Sequence, residues 1–594
     1  MKSKNFSLVV CLLSLAVLTV RAASPSFDQW ADAFAEDWVR LNPQEATRTQ
    51  YFTGAEQDAM DRQLSLGRSK VAQARASLAR RGLAELERFA VASLSPQQRT
   101  SAAVIKWSLN DASASAEFAQ QDFVFVQFRG LHLELVDFLT STHPIRNRRD
   151  AENYLVRLAL VGTRIDKGIA EAKVAAVAGM IPPRFILQRV IDQLDGFIAL
   201  KPTENVLVTT FETRMVAVGV PAEERAGFVA TAEKEVRDTI LPAYRRIREM
   251  LAEQLPQAND DAGLWRLTQG GPAYVRALAT STTTSLTADE INAIGLREEK
   301  RIEGEMDAIL KQLGYKEGSV AERLERLNTS LQLPSDPDPR PALIAEVARV
   351  IKDAERRSVA MFDLRPKAPV TVKREPAFSE KSAPAHYTNP APDGSRPGIY
   401  WIPLADVGPK TPWLGAGLKT TAYHEAVPGH HFQRTLQQES PDLPRFRKLG
   451  VIGGNSAYVE GWALYAERLA EENGWYDGDP TGRLGFLSMQ LFRAKRLVVD
   501  TGLHSRKWTR QQVIDYGITP QETERYIVLP GQACSYMIGQ LRIMELREKA
   551  KAALGKKFSI KEFHNVVLRG GVLPLDVLAE EVDAWVTATK TKTL

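Results

Sequence analysis

The stretch TADEINAIGLREEKRIEGEMDAILKQLG, residues 287–314, carries the pattern that decides the fold class. Thr287 and Glu290 have the spacing of a capping box, in which each side chain accepts a backbone hydrogen bond at the start of a helix. Apolar residues then recur every three or four positions, which is the period of a helix with one buried face. That stripe consists of Ile291, Ile294, Ile302, Met306, Ile309 and Leu313. The stretch therefore predicts an amphipathic helix that ends at Gly314.

The same periodicity extends over most of the chain. Another apolar stripe runs from Leu155 to Ile169, and we expect Ile181-Pro182-Pro183 to end that helix, because proline lacks the amide donor that a helix needs. Thr509 and Gln512 form a further capping box. Gly570-Gly571 is expected to break a helix near the C-terminus. The sequence thus predicts a mainly α-helical protein.

Two proline-rich stretches interrupt the helical pattern. Residues 333–341 read LPSDPDPRP, which predicts a loop. Prolines recur again between Leu364 and Pro403, where Val370 and Val372 show the period of two that is typical of a strand.

A second strand is predicted at Gly398–Ile402, and together the two strands indicate a small β-sheet. We therefore divide the mature chain into a helical half at 23–363, a small sheet with proline-rich loops at 364–410, and a second helical half at 411–594 that carries the candidate catalytic residues.

The N-terminus has the pattern of a cleavable signal peptide. Leu8–Val20 is apolar except for a serine and a threonine, Lys2, Lys4 and Arg21 flank it, and cleavage is expected after Ala22. A membrane anchor would need about 20 apolar residues, so this run is too short to span a bilayer. We expect residues 1–22 to be removed and the protein to be periplasmic or secreted, with no stable membrane insertion.

Composition excludes several classes of protein. The chain has 594 residues, of which 44% are hydrophobic and 25% charged, as in ordinary globular proteins. Its formal charge is +5, but without the three basic residues of the signal peptide the 77 basic side chains fall to 74, against 72 acidic ones. A nearly neutral mature chain does not indicate nucleic acid or an anionic membrane as a partner.

The two cysteines allow no intramolecular disulfide in the mature chain. Cys11 lies within the signal peptide, so only Cys534 remains after cleavage. Lipidation at Cys11 is not favoured, because Val10 precedes it and the apolar run continues beyond it. Stability is therefore expected from core packing or a metal ion.

Three of the eight histidines lie within the eight residues His424-Glu-Ala-Val-Pro-Gly-His-His431. In an HExxH motif two histidines one helical turn apart bind zinc, and the glutamate takes a proton from the metal-bound water. Here the spacing is two residues too long, and a regular helix would hold His424 too far from both His430 and His431 to share an ion. Pro428 and Gly429 are suited to a kink that returns His430 to His424.

This window is also compatible with a surface helix end that carries exposed histidines. The glutamate beside the first histidine and the rarity of histidine elsewhere favour a metal site. The residues alone do not decide whether His430 or His431 is the second ligand.

Several motifs together resemble one protein family. Tyr423–Gln433 is similar to the HExxPGHH motif of a large bacterial family of unknown function that is grouped with the gluzincin zinc metallopeptidases. Tyr458–Glu467, YVEGWALYAE, resembles the second hallmark of that family. Further matches at Leu286–Ile291, Asp500–His504 and Pro530–Tyr536 occur in the same order, so the resemblance covers most of the mature chain.

The resemblance implies a fold like that of angiotensin-converting enzyme and the oligopeptidases, with two helical halves around a deep cleft. It implies Zn²⁺ as the cofactor and a downstream glutamate as its third ligand. Glu460 and Glu467 both qualify; we favour Glu460 and expect Glu467 to orient a ligand histidine. His424, His430 and Glu460 would then hold the metal.

The resemblance also assigns catalytic roles. It implies that Glu425 is the general base toward a metal-activated water and that Tyr536 and His504 stabilise the oxyanion. From the residues alone, Tyr536 is equally well explained as a core residue and His504 as a helix C-cap.

Two features bear on how a substrate is held. The strand at Gly398–Ile402 is a candidate for backbone pairing with an extended peptide, and Arg493, Lys495 and Arg496 are candidates for contact with a peptide carboxylate. Each also has an ordinary structural interpretation, as a protected strand edge and as a solvated charged face.

We therefore expect an exported zinc metallopeptidase that hydrolyses short peptides. Two alternatives stay open: a periplasmic peptide-binding protein of the same fold without turnover, and a zinc amidohydrolase that acts on a non-peptide amide. The oligomeric state cannot be read from the sequence.

Overall fold

The computed structural model describes residues 25–591 except 332–337, 376–379, 381–383, 392–393, 395, 406 and 408–414. The predicted signal peptide therefore lies outside the described residues, as does most of the predicted loop at 333–341.

The described chain is mainly α-helical, as predicted. Its N-terminal helices are α1 (Phe27–Arg40), α2 (Pro43–Thr49), α3 (Gly54–Asp61), α4 (Arg68–Leu86), α5 (Pro96–Ser115), α6 (Leu131–Asp137), α7 (Arg148–Val177), α8 (Arg184–Ile198), α9 (Val206–Ala217), α10 (Ala222–Glu235) and α11 (Leu241–Gln254). They are followed by α12 (Gly270–Thr282), α13 (Ala288–Gln312), α14 (Val320–Ser330) and α15 (Arg340–Ser358).

Three short strands and the remaining helices complete the described structure. The strands are β1 (Val370–Arg374), β2 (His386–Thr388) and β3 (Gly398–Ile402). The helices are α16 (Gly415–Glu425), α17 (His430–Glu439), α18 (Arg445–Lys448), α19 (Ser456–Glu472), α20 (Pro480–Ser505), α21 (Arg510–Asp515), α22 (Pro520–Val528), α23 (Ser535–Leu554), α24 (Ile560–Arg569) and α25 (Leu575–Thr591).

Local signals in the sequence place many of the helix ends correctly. Thr287 caps α13 with the predicted capping box, and Thr509 caps α21 in the same way. Helix α13 ends at Gln312, two residues before Gly314, and α24 ends at Arg569, directly before Gly570-Gly571.

Two predicted boundaries shift. Helix α7 ends at Val177, before the prolines that were expected to end it. Helix α15 starts at Arg340, inside the predicted loop, because proline fits the first turn of a helix, where its missing amide has no partner to lose.

The predicted small sheet is present, and its strand order is β1-β3-β2. Strand β3 pairs in parallel with β1, with Val370 opposite Gly398, and antiparallel with β2, with Tyr387 opposite Tyr400. Because β3 is the central strand, its backbone groups are already paired on both sides. The prediction that Gly398–Ile402 pairs with an extended peptide substrate is therefore wrong.

The described helices bury several apolar cores. Helices α1–α5 share one with the region of α18, and α6–α11 share a second. The largest core contains the stripe of α13, the sheet and the apolar faces of α16, α17, α19, α20 and α23. The helices that carry the candidate site thus pack with helices from the N-terminal half, and the division at 363 and 410 stays a prediction.

Helices α19 and α23 approach each other very closely. A Cβ atom on Gly539 would lie 1.9 Å from the carbonyl oxygen of Ala457, so only glycine fits at this crossing. Gly461 faces the same point from α19. The crossing fixes the first turns of α19, where Glu460 lies.

Among the described residues, no helix combines the length and the apolar character needed to cross a membrane.

Candidate metal centre

The HEAVPGHH stretch is a break between two helices. Helix α16 ends at Glu425, α17 begins at His430, and the Val427–Pro428 peptide bond between them is cis. The chain turns so tightly that a Cβ atom on Gly429 would lie 1.9 Å from the carbonyl oxygen of His424. The break places the rings of His424 and His430 side by side, with their centroids 4.8 Å apart.

Helix α19 supports this turn and supplies a carboxylate to it. The indole nitrogen of Trp462 donates a hydrogen bond of 2.9 Å to the carbonyl oxygen of Pro428. Two residues earlier, Glu460 directs Oε2 to within 3.5 Å of His424 Nε2 and 3.4 Å of His430 Nε2. The three side chains form the group of potential metal ligands found in the described part of the chain.

The geometry of this group fits a tetrahedral metal ion. Ligand atoms of His424, His430 and Glu460 all lie within 4.8 Å of one another. Two atoms that each lie roughly 2.0–2.1 Å from a zinc ion at the tetrahedral angle are about 3.3 Å apart. The observed separations of 3.4 and 3.5 Å are close to this value and long for direct hydrogen bonds. Two imidazoles and one carboxylate are also a known donor set of catalytic zinc sites.

His431 faces away from this group. Its Nδ1 is hydrogen-bonded to the hydroxyl of Tyr387 at 2.9 Å and to that of Thr435 at 3.2 Å. Tyr387 lies on β2, so His431 connects the small sheet to α17, next to the candidate ligands. Of the two histidines that the sequence left open, the structure places His430 beside His424 and Glu460.

Glu467 lies behind His424. It is fully buried, and its Oε1 accepts a hydrogen bond of 2.7 Å from Nδ1 of His424. Its Oε2 accepts a second hydrogen bond of 3.1 Å from Gln490 on α20. With the proton held on Nδ1, the lone pair of Nε2 is available for a metal, which is the usual role of a carboxylate behind a ligand histidine.

Glu425 follows His424 in the chain and is 6% exposed. No hydrogen bond to its carboxylate is found among the described residues. Burial raises the pKa of Glu425 to about 7, with an added contribution from the charge of Glu460 and an opposing one from His424. A buried carboxyl group with a pKa near neutrality can both accept and release a proton at physiological pH.

The histidines respond to the same surroundings in opposite ways. Burial by itself would lower the pKa of His424, but the carboxylate of Glu460 beside its Nε2 and its hydrogen bond to Glu467 outweigh burial and raise the pKa to about 10. Burial lowers the pKa of His430 to about 4. The negative charge that stabilises a proton on His424 would equally stabilise a metal cation at that position.

The structure does not bring His504 into this centre. Its Nδ1 accepts a hydrogen bond of 3.1 Å from the amide of Leu264, and its Nε2 donates one of 3.1 Å to the carbonyl oxygen of Tyr526. Burial lowers its pKa to about 4. Both ring nitrogens are therefore used in joining α20 to its neighbours, and an oxyanion contact from His504 does not fit.

Tyr536, the other expected oxyanion donor, is half-buried at the start of α23. Its hydroxyl lies 3.5 Å from Nη2 of Arg525, a long contact that leaves it able to donate elsewhere. Gly539, one turn after Tyr536 on α23, packs against Gly461, the chain neighbour of Glu460 on α19. Tyr536 therefore lies in the neighbourhood of the candidate metal centre.

Gln490 and Tyr387 belong to this centre but were not predicted. Gln490 donates a hydrogen bond to Glu467, and the hydroxyl of Tyr387 is hydrogen-bonded to His431. Neither carries a signal in the sequence, since a glutamine in an amphipathic helix and a tyrosine in a short strand are both ordinary.

We expect Glu467→Gln to weaken zinc binding by roughly 10- to 100-fold, because an amide accepts a weaker hydrogen bond from His424 than a carboxylate does. Competition with a chelator of known affinity measures the effect. Glu471→Gln is the matched control, since Glu471 lies one turn further along α19 and pairs with Arg483. Unchanged zinc affinity in Glu467→Gln would contradict the role assigned to this residue.

Comparisons with known proteins agree with the fold. The chain is similar over its length to the crystal structure of a protein from Colwellia psychrerythraea described as a "putative lipoprotein", with 30% sequence identity and a TM-score of 0.84, covering 94% of this chain and 99% of that one. A second protein, described as a "putative lipoprotein of unknown function" from Shewanella oneidensis, is 19% identical with a TM-score of 0.70 and the same coverage, and shows the fold alone. No curated protein matches the chain significantly.

A family model for bacterial proteins of unknown function matches residues 43–582. This range contains α19, both helices of the HEAVPGHH break and Tyr536. The chain belongs to that bacterial family of unknown function, DUF885.

Proposed function

We propose that the protein is an exported zinc-dependent metallopeptidase that hydrolyses short peptides. The observation that carries the proposal is the approach of Nε2 of His424 and Nε2 of His430 to the same oxygen of Glu460, at 3.5 and 3.4 Å. The neighbouring Glu425 supports it with a buried carboxyl group, a kind of side chain that can act as a general base.

His424, His430 and Glu460 would hold the ion. Zinc bound by two histidines and a glutamate acts as a Lewis acid that activates water and polarises a carbonyl group. Glu467 would keep the proton of His424 on Nδ1, so that the lone pair of Nε2 is available to the ion. Two neutral imidazoles and one carboxylate would leave a divalent cation with a net positive charge. That remaining charge is what allows the ion to act as a Lewis acid.

Glu425 would move the proton of the reaction. Its carboxylate accepts the proton of the attacking water and delivers it to the nitrogen of the leaving amine, which departs as a neutral group. The hydroxyl of Tyr536 is a candidate donor to the oxyanion that forms at the substrate carbonyl. Tyr536 is half-buried, and among the described residues its hydroxyl makes only the long contact to Arg525, so that hydroxyl is available for this role.

Export is part of the proposal for two reasons. The first 22 residues have the pattern of a signal peptide. The protein from Colwellia psychrerythraea, 30% identical to this chain, is described as a lipoprotein, a class that is exported.

Metal analysis combined with a peptide digest tests the proposal. We expect about one zinc ion per chain and cleavage of peptides from a mixed library, read by mass spectrometry. A folded native protein that binds no zinc would refute the metal site. Zinc binding without cleavage of any library peptide would point to a non-peptide amide, and peptide binding that does not depend on zinc would point to a binding protein without turnover.

A further inference from the structure

A group of three arginines lies next to the candidate metal centre, and the positive charge of one of them, Arg493, is poorly balanced by its surroundings. We call Arg493, Arg496 and Arg525 the arginine cluster; the first two lie on α20 and the third on α22. Tyr536 contacts two of its members: Arg496 lies 4.6 Å from its ring and Arg525 lies 3.5 Å from its hydroxyl.

Arg496 and Arg525 share one carboxylate. Arg496 donates to Glu522 at 2.9 Å and to the hydroxyl of Tyr526 at 3.0 Å. Arg525 donates to the same glutamate at 3.3 Å and to Gln532 at 2.8 Å, while its Nε is buried without a partner. One carboxylate therefore serves two guanidinium groups.

Arg493 is less well compensated. It is 7% exposed, and its Nη1 donates to the carbonyl oxygen of Met489 at 3.2 Å. Its Nη2 lies 3.9 Å from Oε1 of Glu467, and its Nε is buried without a partner. Glu467 is already hydrogen-bonded to His424 and Gln490.

The pKa shifts of the arginines also indicate that Arg493 is less well compensated than Arg496. Burial lowers the pKa of Arg493, since Glu467 and its other neighbours do not offset the loss of water. For Arg496 the contacts with Tyr526, Tyr536 and Glu522 outweigh burial and raise the pKa. A buried guanidinium group with an unused donor is costly to keep and is suited to binding an anion.

The position of Arg493 connects this excess charge to the reaction site. A single carboxylate, that of Glu467, separates it from His424, with contacts of 3.9 and 2.7 Å on its two sides. The charge of Arg493 also acts on Glu425. One residue of extended peptide spans roughly 3.3–3.6 Å, so a group bound at Arg493 would lie within about three residues of the scissile bond.

We propose that the arginine cluster, led by Arg493, binds the C-terminal carboxylate of the peptide substrate, so that the enzyme cleaves short peptides close to their C-terminus. This inference rests on the proposed peptidase function. A planar guanidinium group can bind a carboxylate through two parallel hydrogen bonds, which makes a free C-terminus the natural ligand.

Peptides with free and with amidated C-termini test the inference. We expect amidation to lower kcat/KM roughly 100- to 1,000-fold for library peptides of three to five residues, since a site built for a polar group strongly rejects an analogue that lacks it. Arg493→Gln should remove most of this preference, and Arg493→Lys should restore part of it. Arg483→Gln is the matched control, because Arg483 lies on the same helix and pairs with Glu471 at the surface.

Calorimetry separates this inference from the proposed function. In Glu425→Gln we expect trialanine to bind at least about 10-fold more tightly than trialanine amide, with the difference lost in the double variant Glu425→Gln/Arg493→Gln. Equal affinities for the two probes would overturn the inference even if peptides are cleaved. A preserved difference without any cleavage would support carboxylate binding while refuting the peptidase.

Two further outcomes are decisive. If amidated peptides are cleaved well whenever they contain an aspartate or glutamate side chain, the cluster recognises that side chain and the assignment to the C-terminus is wrong. If Arg493→Gln fails to fold, as judged by circular dichroism, Arg525→Gln takes its place, and an unchanged preference in that variant would count against the cluster.

Discussion

Glu425→Gln is expected to lower kcat for peptide hydrolysis by roughly 10²- to 10⁴-fold while zinc content and melting temperature stay as in the wild type. Glutamine has the shape of glutamate but cannot accept the proton of water. Since no hydrogen bond to Glu425 is found among the described residues, the substitution breaks no observed contact. Turnover of the best library peptide, metal analysis and thermal unfolding measure the three quantities.

The same measurements on Glu471→Gln provide the control, since this change also removes one negative charge from a partly buried carboxylate. Full activity in zinc-loaded Glu425→Gln would exclude Glu425 as the general base. A joint loss of activity and zinc would instead assign Glu425 to metal retention.

His430→Ala and His431→Ala are expected to differ in zinc affinity, because only His430 is a candidate ligand. His430→Ala removes the side chain whose Nε2 lies 3.4 Å from Glu460, and we expect zinc affinity to fall by more than about 100-fold, beyond the range caused by losing a residue behind a ligand. Activity should fall with it.

In His431→Ala zinc should be retained. That variant loses the contact with Tyr387, whose hydroxyl keeps a second partner in Thr435 at 3.1 Å. A stability loss of about 1–2 kcal/mol in chemical denaturation is expected. Loss of zinc from His431→Ala with retention in His430→Ala would reverse the ligand assignment.

Much of the local structure could be predicted because its causes are local. A capping box such as Thr287 with Glu290 satisfies amide groups within a single turn, so it can be recognised without knowing the rest of the fold. The break at Pro428 and Gly429 follows from the chemistry of two neighbouring residues, and the strand at Gly398–Ile402 from its composition.

Other predictions failed because distant segments decided them. His504 has the position of a functional residue in a motif, but the amide of Leu264, from far upstream in the chain, occupies its Nδ1. The strand at Gly398–Ile402 could be recognised, but its place between β1 and β2 could not, because strand order depends on the path of the intervening chain. The sequence around Arg493 is typical of a solvated charged face, but the structure buries Arg493 beside Glu467.

The sequence by itself determined a mainly helical protein, the small sheet, the break in the HEAVPGHH stretch and a short set of candidate ligands. Only the tertiary structure distinguished His430 from His431 and Glu460 from Glu467 as the residues that meet at one point. Helix periodicity determines which face of a helix a side chain occupies. Metal ligation depends in addition on the distances between side chains of α16, α17 and α19, which must be correct to within a few tenths of an ångström. Those distances are set by how the helices pack, including the close crossing of α19 and α23 at Gly539.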